Sequence, residues 1–160
     1  MTKINTDFIM PFIEATHTTF ERMMNYTITR KEVYLKKNYV MLGDISGFIG
    51  LSGKACGTAA VSLPAPFALK CIGTMMGQDN EMELTDSVVH DGVGEIVNMI
   101  AGRAKTTLGE TEYKFDITLP TIISGRAHEL YHKQGTTILS MVFETESGDE
   151  FAIDVSTQDG

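Results

Sequence analysis

Basic residues are scarce in this chain. Thirteen Lys and Arg stand against twenty-one Asp and Glu, for a formal charge of −8. Nucleic-acid binding needs a basic stripe that displaces counterions from phosphates, and anionic membranes attract the same positive charge, so neither partner is expected. Cysteine is nearly missing: Cys56 and Cys71 form no CxxC pair. A disulfide scaffold and a cysteine-based zinc site are therefore not expected, and a reducing, cytoplasmic compartment is. There is no long apolar run. The longest uncharged stretch, Ala55 to Leu69, is broken by Pro64 and Pro66 and falls short of the ~20 residues a membrane span needs. The opening MTKINTDF has no apolar segment of the signal-peptide kind. Walker, dinucleotide-glycine, GxSxG and HExxH patterns are all lacking. His128, Glu129 and His132 lie near one another but read as solvated groups, so no metal site is expected.

What is present suits one domain over 1–160: 160 residues, 42% hydrophobic and 21% charged. Asn5 is a plausible cap for a helix from about Thr6 to Met24, with Ile9, Phe12, Ile13, Phe20 and Met23 at helical spacing. Pro11 is tolerable only near that helix's start. Residues Thr29 to Leu42 read as a strand with lysines on the wet side, and Ile45–Leu51 with Thr58–Leu63 as a hairpin turning at Ser52-Gly53-Lys54. A second helix starts at Pro64 or Pro66 and stops near Gly77. After a polar stretch from Gln78 to Leu84, a third spans about Thr85 to Leu108. Strands follow at 115–119, 121–123, 137–145 and 150–155. The expected fold is α/β (α+β): about three helices on a roughly six-stranded, mostly antiparallel sheet. Each half holds a helix, strands and a Ser-Gly turn, which suggests an internal pseudo-repeat.

The third helix carries the functional signal. Val89, Val93, Ile96, Ile100 and Ala104 make one apolar stripe for the core. The opposite face centres on Asp91, Glu95, Asn98 and Gly102, with Glu95 and Asn98 projecting together as i,i+3 neighbours. Val88 and Met99 flank it. Glu and Asn on an exposed helical face are ordinarily just solvated. Here, however, Asn is a mediocre helix former, and Gly94 and Gly102 each cost ~1 kcal/mol relative to Ala in a helix. Their missing side chains suit close approach by another molecule.

Asp91-x3-Glu95-x2-Asn98, on the helix DGVGEIVNMIAGRAKTTLG, resembles the signature of the CheC/CheX/FliY chemotaxis phosphatases. FIGLSGKACGTAAVSLP and FDITLPTIISG are also similar to that family. One intact motif and this length resemble its CheX members more than CheC, which usually carries two. If the halves are related, Glu14 and His17 would be a degenerate copy, read as a surface Glu and a helix-edge His. The resemblance implies a homodimer formed through the sheet. It also implies a protein substrate, the aspartyl phosphate of a CheY-type response regulator. Asn98 would orient the attacking water, as its amide has no useful pKa for a base. Glu95 would pair with the regulator's active-site lysine, and Asp91, Gly94, Met99 and Gly102 would line the contact. The chain itself would bind no cofactor; Mg²⁺ would belong to the regulator. Two alternatives stay open: a non-catalytic CheC/FliM-like adaptor or binding module, and a small-ligand sensor.

Overall fold

A computed structural model describes residues 5–54, 56–77 and 84–157. Of the expected polar stretch, all but Leu84 lies outside the described residues, as does Ala55 in the first hairpin turn.

The first helix, α1 (Thr6–Met24), starts where Asn5 accepts a hydrogen bond from the Asp7 N–H at 2.9 Å and ends at Asn25, in the left-handed conformation with φ 58°. It runs through Pro11, which is buried and lies in the second turn, near the helix start as expected. Three strands follow: β1 (Ile28–Leu35), β2 (Ile45–Gly53) and β3 (Gly57–Leu63). Next come α2 (Ala65–Met75) and α3 (Asp86–Leu108). Thr85 caps α3 by accepting from the Val88 N–H. The chain closes with β4 (Phe115–Ile117), β5 (Thr121–Ser124), β6 (Thr137–Thr145) and β7 (Glu150–Thr157).

The sheet has seven strands rather than about six, all antiparallel, in the order β1-β6-β7-β3-β2-β4 with β5 also on β2. This order is pseudo-symmetric. Exchanging β1 for β4/β5, β2 for β6 and β3 for β7 reverses the list onto itself, which places the expected internal repeat about the β3–β7 pair.

One sheet face carries the apolar residues of alternate positions, such as Ile49, Val61, Met141, Phe143, Phe151 and Ile153, and the three helices cover it. Phe20 stacks on Phe151 with ring centroids 4.3 Å apart, and Phe143 stacks on Phe151 at 5.4 Å. Aromatic pairs of this kind add ~0.5–1.5 kcal/mol beyond their burial.

The other face is mostly small and polar apart from Phe48, Ile138 and Val142, yet Ser46, Ser62, Ser140, Asp154 and Ser156 are buried there. The segment 36–42 explains this and corrects the expected strand over Thr29–Leu42. The chain leaves the sheet after Leu35, and Lys36 pairs with Asp154 at 3.0 Å, their side chains only 6% and 8% exposed. Buried ions need such a partner, and the pair holds the segment down. His128 is not simply solvated either. Its ring nitrogens bond the Gly125 carbonyl at 2.8 Å and Ser46 Oγ at 2.7 Å. Burial holds the His132 imidazole below the usual histidine range.

Candidate active site on the third helix

The stripe expected to face the core does so: Val89, Val93, Ile96, Ile100 and Ala104 are buried, together with Val97, Ala101 and Leu108. Burying each Val, Ile or Leu among them contributes ~1.5–3 kcal/mol, and this fixes the rotation of α3 about its axis. The orientation of the opposite face is then not free. Asp91 and Glu95 are exposed, and Asn98, Met99 and Gly102 are half-buried along the same strip.

Among the described residues neither member of the central pair has a side-chain hydrogen bond or ion pair. The five ion pairs among the described residues lie elsewhere and leave Glu95 free. The side-chain hydrogen bonds formed from within α3 run from Thr106 to the Gly102 carbonyl and from Thr107 to the Arg103 carbonyl, both at 3.1 Å, C-terminal to Asn98. Carboxylate and amide thus stand one turn apart with their hydrogen-bonding capacity unspent. Such a pair can accept from a cationic donor at one position and hold a water at the other.

The glycines of α3 divide by role. At Gly102 an added Cβ would meet nothing within 4 Å, so this stretch of the helix is open to solvent. Gly94 is different, and here the expected open approach is corrected. It is buried, and a Cβ there would lie 3.4 Å from Ile122 Cδ1 and 3.5 Å from Pro120 Cγ. The space it leaves is occupied by the protein's own sheet edge. Gly92, which sequence reasoning passed over, is the tightest: its Cβ would sit 2.4 Å from Ile72 Cδ1, so α2 and α3 meet through it. Only the DGVG spacing could have signalled this.

On α1, Glu14 and His17 hold the positions that match Glu95 and Asn98 when the two halves are aligned. Glu14 is exposed and His17 is half-buried, its ring edge-on to Phe143 with centroids 5.6 Å apart. Among the described residues no three His, Cys, Asp or Glu side chains are grouped as metal ligands would be. No helix there is long and apolar enough to cross a membrane.

Comparison with known proteins places the chain in a family. The family model described as "Chemotaxis phosphatase CheX" matches residues 45–144. The CheY-P phosphatase CheX of Thermotoga maritima is 32% identical over 112 residues, 70% of either chain. A chemotaxis protein CheX from Desulfovibrio desulfuricans superimposes with a TM-score of 0.85 at 28% identity, over 95% of this chain and 99% of that one. The CheX of a CheX–CheY–BeF3–Mg²⁺ complex from Borrelia burgdorferi gives 0.81 at 25% identity, over 97% and 100%. The chain belongs to the CheX family of chemotaxis phosphatases.

Proposed function

We propose that this protein hydrolyses the aspartyl phosphate of a CheY-type response regulator, with Asn98 positioning the attacking water and Glu95 anchoring α3 in the regulator's active site. The observation that carries this reading is the unengaged Glu95–Asn98 pair on the outward face of α3, in a chain of the CheX family. The Borrelia relative's complex with CheY, beryllofluoride and Mg²⁺ supports the choice of partner. An acyl phosphate is already activated, so a phosphatase for it has mainly to place a water in line and exclude wrong geometries. Asn98 supplies an acceptor and donors but no titrating group, which makes it a positioning amide rather than a base. Glu95 supplies a negative charge beside Asn98, with exposed Asp91 one turn earlier on the same strip. Mg²⁺ comes with the regulator, and binding favours the phosphorylated, Mg²⁺-loaded form because only that form offers the pocket the pair enters. The free thiols Cys56 and Cys71 fit action in the reducing cytoplasm.

The test is single-turnover phosphate release from a phosphorylated receiver, with and without this protein. Acceleration of release supports the phosphatase. Binding without acceleration would establish the adaptor reading instead.

We further propose a homodimer joined through the β1 edge. Val33 and Leu35 pair with Met141 and Leu139 and so face the helix side of the sheet, yet they are 44% and 50% exposed. An exposed edge strand with uncovered apolar side chains is a template for another chain. Light scattering should return twice the chain mass, and Leu35→Glu should return the monomer. A wild-type monomer at micromolar concentration would rule the dimer out.

A further inference from the structure

The most exposed large apolar side chain among the described residues is Leu119, at 88%, and its setting is built rather than incidental. In the edge ladder, Leu51 pairs with Ile117 and Phe48 with Thr121. Three residues, Thr118 to Pro120, therefore stand opposite two, Ile49 and Gly50. This is a β-bulge, a device that re-aims a side chain at the rim of a sheet. Both neighbours of Leu119 are pinned. The Thr118 N–H donates to the Gly50 carbonyl at 3.0 Å, and its Oγ1 accepts from the Gly50 N–H at 2.8 Å. Pro120 packs at Gly94.

Two contacts then fix where the bulge lies along α3. Asp116 Oδ1 meets Lys105 Nζ at 3.2 Å, and Pro120 meets Gly94. The helix rises about 16 Å between Gly94 and Lys105, and extended chain from Asp116 to Pro120 covers about 14 Å. The two segments run side by side in opposite directions. Leu119, next to Pro120, is therefore level with the turn that carries Glu95 and Asn98.

We propose that Leu119 is an apolar anchor for the phosphorylated receiver, seating in an apolar recess beside the acidic pocket that Glu95 and Asn98 enter. The proposal rests on the phosphatase reading above. It deepens that reading by adding the contact that the polar strip lacks. A Glu and an Asn exchange water for partner groups at small net gain, whereas desolvating one leucine supplies affinity directly. Because the backbone on both sides is already held, little ordering cost is left for the moment of binding.

The experiment is a binding titration against a CheY receiver in its beryllofluoride–Mg²⁺ form, beside phosphate release from the phosphorylated receiver. It uses wild type, Leu119→Ala, Leu119→Met and Asn98→Ala. Tyr131→Ala serves as a control, being 74% exposed on the segment that covers the opposite sheet face. Leu119→Ala should weaken binding and raise KM by about tenfold or more, with the loss in KM rather than kcat. Leu119→Met should recover most of it, and Tyr131→Ala should match wild type. If Leu119→Ala titrates like wild type while Asn98→Ala loses release, the anchor is refuted and the phosphatase reading stands. If Asn98→Ala keeps wild-type release while Leu119→Ala loses affinity, the anchor stands and the assigned chemistry falls. If wild type neither binds the mimic nor speeds release, both fall together.

Discussion

Helices α1 and α3 occupy corresponding places in the two halves of the pseudo-symmetric strand order, yet their outward faces differ. Aligning Glu14 with Glu95 and His17 with Asn98 sets Phe8, Phe12, Ala15, Thr19 and Phe20 against Val89, Val93, Ile96, Ile100 and Ala101, and every one of these is buried. The core faces of the two helices therefore agree. The outer faces do not. His17 meets Phe143 edge-on, whereas Asn98 has no side-chain partner among the described residues. Ile13 fills the position that Gly94 leaves to Pro120 and Ile122. Glu21 stands where Gly102 leaves the helix bare. The edges differ accordingly. β4 and β5 are drawn against α3 and bulge at Leu119, while β1 bulges at Lys31, which ion-pairs with Glu144 and Glu150. Core packing can be kept in both copies while the outward chemistry is kept in one, because the two faces of a helix answer to different constraints.

The comparison can be broken most decisively at Asn98. Asn98→Ala should slow phosphate release by about a thousandfold, since it removes the positioning group alone. His17→Ala should leave release at the wild-type rate. Single-turnover kinetics of the pair decide the matter, and equal rates for Asn98→Ala and wild type would end the proposed asymmetry. The second contrast sets Glu95 against Glu14. Glu95→Ala should weaken receiver binding by ~2–5 kcal/mol, the usual cost of truncating one partner of a buried charge pair. Glu14→Ala should titrate unchanged. A calorimetric titration with the beryllofluoride mimic reads both, and a shift for Glu14→Ala would make α1 a second site.

Gly92→Ala probes the packing of α3 on α2. The new methyl would collide with Ile72, so unfolding should be easier by ~1–3 kcal/mol, the range for overpacked cores. Denaturant melts measure it. The smallest expected effect is at Gly102, where an added Cβ meets nothing. Gly102→Ala should stabilise the helix by up to ~1 kcal/mol while lowering receiver affinity a few-fold. A gain in stability with unchanged affinity would remove Gly102 from the docking face.

Much of this was legible before any coordinates. The apolar period of α3, its span from about Thr85 to Leu108 and the Glu95–Asn98 pair on the far face are all local properties of one helix, and the structure keeps each of them. The hairpin strands, the second helix and the last two strands also fall within a residue or two of their expected places, because alternation and turn residues mark them. The misses share one cause. Residues 36–42 have strand-like composition, but Lys36 follows its partner Asp154, more than a hundred residues away in the chain. Gly94 looks like a gap for an incoming molecule until Pro120 and Ile122 are seen to fill it.

The sequence by itself determined which residues line each face of each element, since periods of 3.6 and 2 are written residue by residue. It thereby determined that Glu95 and Asn98 would project together. Only the tertiary structure decided what lies beside those faces. It inserted β7 between β6 and β3, brought the edge segment alongside α3, lifted Leu119 out on a bulge and left Val33 and Leu35 uncovered at the other edge. Strand order and edge contacts join segments that are remote in the chain, and no local pattern encodes which remote segment arrives.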